Sequence, residues 1–196
     1  MQSQDHASRK RSHAKTDGTD RPLRVIDLFS GCGGMSLGFH RAGFQILGGV
    51  EWDRNAAATH GANFFGPETS PDRCSPHAQP RDITQYPPQQ FMAEILQVDN
   101  PADQVDVIVG GPPCQAFARI GRAKLRDVLQ HPQAYLRDKR ASLYQYFLEY
   151  VEFFRPSAVV MENVPDIMNF GGVNVAEEIA SSLADMGYRA HYTILN

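Results

Sequence analysis

The sequence predicts an α/β protein with a doubly wound, mostly parallel sheet, and three observations lead there. Short apolar runs rich in Val and Ile alternate with segments of helical periodicity from Arg24 onward. The run-to-run spacing leaves room for a crossover helix between strands, as parallel pairing requires. Glycines and prolines cluster directly after strands, as in "GCGG" and "GGPP", where such sheets carry their ligands.

The elements follow in order. Residues 1–21 are polar and without periodicity, and they are expected to form a disordered tail ahead of one domain spanning 22–196. "RVIDLF" and "FQILGGVE" read as strands, with "GMSLGFHRAG" between them as a helix stopping at Gly43. "DRNAAATHGANF" reads as a helix capped by Asp53. Residues 65–80 hold enough Pro, Ser, Asp and Gly for a loop, and "RDIT" at 81–84 is a candidate third strand ending at Asp82. "PPQQFMAEILQ" reads as a helix and "VDVIVG" as a strand. "RASLYQYFLEYVEFF" sets Leu143, Phe147, Tyr150, Val151 and Phe154 at helical spacing. The strand "SAVVMENV", the helix "NVAEEIASSLADMG" and a last strand "YRAHYTILN" complete the chain.

Composition narrows the function. The three cysteines, Cys32, Cys74 and Cys114, are odd in number and far apart, which suits a reducing compartment and neither a disulfide framework nor a zinc site. "CSPH" at 74–77 lacks the second pair of ligands that structural zinc needs. No apolar run reaches membrane-spanning length. Net charge is −3, but unevenly placed: residues 119–140 carry seven Lys/Arg against two Asp, and residues 1–24 six against three. Such asymmetry suits a local polyanion site, although a basic run alone also fits a solvated helix face.

The residues that follow strands carry the chemistry. Gly31, Gly33 and Gly34 in "DLFSGCGGMSLGF" allow a tight turn and close approach of a ligand. Ser36 stands where a dinucleotide fingerprint needs glycine, which disfavours a nicotinamide cofactor relative to another nucleoside-bearing one. Glu51, seventeen residues past Gly34, lies about where such folds place an acid against ribose hydroxyls. Trp52, the only tryptophan, suits stacking on adenine or packing in the core. The last two interior strands end on "GGPPCQ" and "MENV", so adjacent strand ends would bring Cys114 near Glu162. A thiolate and a carboxylic acid together suit addition to an electron-poor ring, the acid taking up charge on a ring nitrogen. Pro112 and Pro113 would hold the thiol in place and limit the entropy lost on reaction.

In combination these motifs resemble the cytosine-C5 DNA methyltransferase family over residues 24–196. "DLFSGCGG" resembles its cofactor loop, "EWD" its adenosine-recognising residues, "GGPPCQAF" its nucleophile motif and "MENV" its cytosine-binding motif; "DKRASL" fits its D-x-R-x-x-L. The resemblance implies a Rossmann-like fold and S-adenosylmethionine as cofactor. Phe29, Gly31, Cys32, Gly33 and Gly34 would surround the methionine end, and Glu51 the ribose. Trp52, Asp82 and Ile83 would surround the adenine, and Pro113 would line the pocket of the methyl donor.

By the same carry-over Cys114 attacks C6 of a flipped cytosine, Glu162 engages N3, and Asn163 braces the nucleophile loop. Gln115, Arg119, Arg122, Lys124 and Arg126 fall in a loop expected to close over double-stranded DNA, while Ala118 departs from the serine common in relatives. No metal is expected, and the bacterial nucleoid is favoured over a nucleus. The family continues with a Gln-x-Arg-x-Arg block, a target-recognition region and a cofactor-closing motif that these 196 residues lack. A fragment is therefore expected, with a complementary C-terminal polypeptide as partner and its last strand without an inner neighbour. Transfer-RNA cytosine methylation and a non-catalytic, cofactor-binding remnant are the alternatives.

Overall fold

The structure, a computed structural model, describes residues 21–66, 76–101, 103–113, 143–169 and 173–195. Four strands form one parallel sheet: β1 (Arg24–Leu28), β2 (Gln45–Val50), β3 (Val107–Gly110) and β4 (Ala158–Met161), in the order β2-β1-β3-β4. The helices are α1 (Gly34–Arg41), α2 (Arg54–Phe65), α3 (Pro88–Phe91), α4 (Leu143–Phe154) and α5 (Val175–Asp185). The α/β, Rossmann-like class expected from the sequence is the class observed.

Each face of the sheet has its own core, set by the two-residue period of the strands. Ile26, Leu28, Val50 and Ile108 pack with Phe91 of α3, Phe147, Tyr150, Val151 and Phe154 of α4, and Ile179 and Leu183 of α5. Val25, Ile46, Val107 and Val109 form the opposite face with Met35, Phe39, Phe44, Phe64 and Phe65. Ile46 and Val50 lie on different faces although they are four positions apart, an even offset. The register slips between Val25 and Ile26, and one extra residue in β2 inverts the alternation beyond it.

Local signals end the helices as the sequence indicates. Asp53 accepts the N–H groups of Asn55 and Ala56, both at 2.9 Å, and caps α2. Asn174 accepts the Glu177 N–H and caps α5. α1 stops at Ala42, with Gly43 at φ 93° beyond it. The helix expected at 87–97 is α3 followed by a π-helical turn at Met92–Leu96.

Two expected strands are not strands. "RDIT" is a turn, because Asp82 bonds its own neighbours: its carboxylate accepts the Thr84 N–H at 2.9 Å and the Thr84 hydroxyl at 2.8 Å. Such local bonds compete with a ladder and win here. Residues 188–195 form no ladder with any described strand. Tyr188 donates its hydroxyl to the Pro156 carbonyl and Tyr192 donates to Glu177, so side chains tie this segment down where a neighbouring strand would otherwise be needed.

The boundary at residue 21 also has a structural consequence. Arg21, assigned to the polar tail, binds both oxygens of Asp106, at 2.6 and 3.0 Å. With the Arg24 N–H also donating, Asp106 is held down to about 2, and the start of β1 is anchored to the start of β3.

Candidate active site

Parallel pairing puts all four strand ends on one side, and the register makes the alignment close. Leu28 pairs with Val50 and with Gly110, and Gly110 pairs with Met161. The next residue on each strand is therefore Phe29, Glu51, Gly111 or Glu162, in one transverse row. This row collects the sequence-predicted motifs from four distant stretches of chain.

On the β1–β2 side the backbone is bent sharply. Phe29 has φ 60°, a left-handed conformation that costs a non-glycine residue about 1–2 kcal/mol. Two bonds to one acceptor hold it there, since the Phe29 and Ser30 N–H groups both donate to the Val50 carbonyl, at 2.8 and 3.2 Å. Gly33, at φ 99°, begins α1 with no room for a side chain, because a Cβ there would collide with the Phe64 ring. At Gly31 and Gly34 a Cβ would meet nothing within 4 Å, so the turn faces open space. Cys32 between them is exposed.

Glu51 organises this turn. One carboxylate oxygen accepts the Gly31 N–H at 2.9 Å and the other accepts the Asp53 N–H at 2.8 Å. The acid thus joins the glycine turn to the start of α2, and each oxygen keeps a lone pair for a further donor. Trp52 beside it is 74% exposed, which excludes the core-packing reading. Asp82 is exposed at the head of its turn. Ile83, expected near adenine, places its side chain in the main core, so what it can offer a ligand is backbone.

Arg81, which sequence reasoning missed, sets that segment in place. Its N–H donates to the Glu51 carbonyl at 2.6 Å, and its buried guanidinium lies 4.9 Å from the Tyr86 ring centroid. Asp27, Ser36 and His60 were also missed as a group; they form a buried polar chain under the glycine turn. No local sequence pattern links positions 27, 36 and 60.

On the β3–β4 side, Gly111 to Pro113 leave the sheet beside Glu162 and Asn163. A Cβ at Gly111 would stand 3.2 Å from Glu162 Oε2, so glycine lets the carboxylate lie against this backbone. Asn163 Nδ2 donates to the Pro112 carbonyl at 3.1 Å, while its Oδ1 accepts the Val164 N–H at 2.9 Å. These two bonds fix the orientation of the Asn163 amide against the Pro112 backbone. Glu162 is exposed and Pro113 half-buried. Cys114, Gln115, Arg119, Arg122, Lys124 and Arg126 lie outside the described residues, as does the basic segment 119–140. No group of three or more potential metal ligands occurs among the described residues, and no described helix is long and apolar enough to cross a membrane.

The chain is similar to known proteins over most of its length. A profile of the family described as C-5 cytosine-specific DNA methylase matches residues 23–196. A protein of Oceanobacillus iheyensis is 41% identical over 179 residues, covering 91% of this chain and 37% of its own. The type II methyltransferase M1.HphI of Haemophilus parahaemolyticus is 33% identical, with 89% of this chain and 41% of the relative covered. The crystal structure of a prophage-encoded Escherichia coli protein, described as a DNA modification methyltransferase, superposes with a TM-score of 0.58. It is 31% identical and covers 83% of this chain and 38% of its own. The Entamoeba histolytica methyltransferase EhMeth, at 19% identity and TM-score 0.53, shares the fold over 85% of this chain and 45% of its own. The chain thus spans less than half the length of each of these proteins. Its four aligned strand ends carry the motifs that the profile covers nearly end to end, and on that ground the chain belongs to the C-5 cytosine-specific DNA methylase family.

Proposed function

We propose that the chain is the catalytic N-terminal portion of an enzyme that transfers a methyl group from S-adenosylmethionine to C5 of cytosine in double-stranded DNA. The observation that carries this reading is the single row of strand ends, with an acid-held glycine turn at one side and Glu162 against the Gly111–Pro113 backbone at the other.

The residues fit the cofactor. Open space over Gly31 and Gly34 suits the methionine end, and the carboxylate of Glu51 suits ribose hydroxyls. Phe29, Cys32 and Gly33 are proposed at the methionine end with Gly31 and Gly34. Trp52 is exposed for stacking on adenine, with Asp82 and Ile83 proposed beside it and Pro113 lining the pocket of the methyl donor. When bound, S-adenosylmethionine supplies an electrophilic methyl group on a sulfonium.

Cys114 follows the braced Pro112–Pro113 pair, and its thiolate adds to C6 of a cytosine turned out of the helix. Glu162 donates or shares a proton at N3 and so takes up the charge that this addition places on the ring. The electron density gained at C5 makes that carbon the nucleophile. Loss of the C5 proton and departure of the thiolate restore the aromatic ring. Asn163 acts through backbone, holding the Pro112 carbonyl and hence the start of the nucleophile loop.

Gln115, Arg119, Arg122, Lys124 and Arg126 are proposed as DNA contacts on their charge and position after the nucleophile. A complementary C-terminal polypeptide is proposed on β4, whose Ala158 and Val160 are exposed on the face where β3 is covered. A bacterial cytoplasmic setting at the nucleoid is proposed from the bacterial relatives.

The test is methyl transfer from tritiated S-adenosylmethionine to duplex DNA and, in parallel, to transfer RNA, with the C-terminal part of M1.HphI supplied. Label recovered as 5-methylcytosine from DNA is expected. Label only in transfer RNA, or on another base, would overturn the reading.

A further inference from the structure

The chain Asp27–Ser36–His60 plays no part in the proposed chemistry, yet it is the most deeply buried polar group in the described residues. Asp27 and His60 are each 1% exposed and Ser36 is 0% exposed. They come from β1, the first turn of α1 and the middle of α2. Ser36 gives Asp27 Oδ2 two bonds, its N–H at 3.1 Å and its hydroxyl at 2.6 Å. Residues 28–35, which contain the whole glycine turn, are therefore a loop pinned at its base.

The direction of the third bond follows from proton counting. The Ser36 hydroxyl has one proton, and Asp27 accepts it. The 2.9 Å contact between Ser36 Oγ and His60 Nε2 must then run from the ring to the hydroxyl. His60 is a neutral imidazole protonated on Nε2, and burial agrees, since it pushes the ring down to about 4.

The ring also touches the turn. A Cβ at Gly33 would lie 3.1 Å from His60 Cδ2, and one at Gly49 of β2 would lie 2.9 Å from His60 Cε1. Phe64 packs against the ring as well, with centroids 4.9 Å apart, and meets the same Gly33 position. The imidazole is wedged between strand and turn in a space that only glycines leave.

We propose that His60 is a positioning residue which, by donating from Nε2 to Ser36 Oγ, fixes the Ser36–Asp27 bonds and so holds the Gly31–Gly34 turn in its cofactor-accepting shape. The proposal rests on reading that turn as the S-adenosylmethionine site. His60 touches neither cofactor nor base; it acts through Ser36 and Gly33.

Two variants separate donation from packing. His60→Phe keeps ring bulk against Phe64 and removes the donor, whereas His60→Gln keeps an N–H near the place of Nε2 and gives up the ring. In the ligand-free chain, His60→Phe is expected to speed amide exchange at Ser36 and Gly31 about tenfold, the worth of one hydrogen bond, with Ile26 and Val109 unchanged. S-adenosylmethionine binding, by equilibrium dialysis, weakens by about the same factor, and His60→Gln returns both readouts to within about threefold of wild type. The reverse order, with Phe like wild type and Gln impaired, would make His60 a packing residue and overturn the proposal. Equal behaviour of both variants and wild type would do the same.

The tautomer gives an independent readout in the unaltered chain. Nitrogen NMR should find the His60 proton on Nε2; a proton on Nδ1 would overturn the proposal even if a variant fails to fold. If the wild-type chain took up no S-adenosylmethionine while the exchange pattern and tautomer held, the cofactor reading would fall and the hold of His60 on the turn would stand.

Discussion

The two ends of the sheet are built differently. At the β1–β2 end both faces are covered, and the glycine turn is fixed by Val50, Glu51 and Ser36 through bonds that close within the described residues. At the β3–β4 end one register pair shows the contrast. Val109 is 0% exposed, while Val160, its partner across the ladder on the same face, is 44% exposed. Glu162 and Val164 beyond it are exposed too. Among the described residues, then, the end with the glycine turn is closed by its own packing and bonds, whereas the end with Glu162 leaves one face of β4 exposed; on the proposed reading these are the cofactor side and the base-handling side.

The sharpest way to break this comparison is to remove the thiol. Cys114→Ser is expected to lower methyl transfer by about a thousandfold or more while leaving S-adenosylmethionine binding within about twofold. Comparable loss of both would mean that the two ends are not separable.

The next effect is on stability. Burial raises the Asp27 carboxyl to about 6, with the charge of Glu51 adding to the rise and the Ser36 bonds opposing it. A raised acid stabilises the fold below its unfolded pKa, and that stability is lost as pH rises through about 6. His60 runs the other way: burial, then the nearby His77, lowers it to about 4, so its stability is present above about 6.5 and is lost as pH falls through about 4. The two nearly cancel in the wild-type chain. Relative to wild type, His60→Phe should gain about 3 kcal/mol between pH 7 and pH 4 and Asp27→Asn should lose about as much. Urea unfolding at both pH values reads this, and shifts of the same sign in both variants would refute the opposed pair.

Glu51→Ala should weaken cofactor binding by about 10–100-fold, the worth of its charge-assisted bonds to the Gly31 and Asp53 N–H groups. An unchanged affinity, read by dialysis, would remove Glu51 from the receptor. The smallest contrast lies in the paired valines. Val109→Ala should cost about 1–3 kcal/mol of unfolding free energy, and Val160→Ala less than about 0.5, because only the first leaves a cavity. Equal costs would show that β4 is covered in solution.

What the sequence made legible was what local chemistry decides. Asp53 before "RNAAA" is a cap on its own evidence, and "VDVIVG" can hardly avoid being an interior strand. Glycines and acids that follow strands pointed to one candidate site for the same reason, since parallel strands must end on one side. Non-local effects were not legible. "RDIT" has strand-like residues, but the Asp82 side chain takes Thr84 and folds it into a turn. Residues 188–195 alternate as a strand should, yet pairing needs a neighbour that the described residues do not provide. Ser36 was read only as a missing glycine, because its partners Asp27 and His60 meet it only once β1, α1 and α2 have packed. The slipped register in β2 likewise left no mark in the hydrophobic pattern, and it decides which face Ile46 joins.

The most direct test of the central claim uses duplex DNA with 5-fluorocytosine in place of cytosine, S-adenosylmethionine, and this chain with the C-terminal part of a relative supplied. Fluorine at C5 blocks the final elimination, so the thiol cannot leave. The expected result is a protein–DNA adduct that survives denaturing electrophoresis and disappears in Cys114→Ser. No adduct with the wild-type chain under these conditions, or an adduct that persists without the Cys114 thiol, would contradict the reading of these strand ends as a cytosine-C5 methylation site.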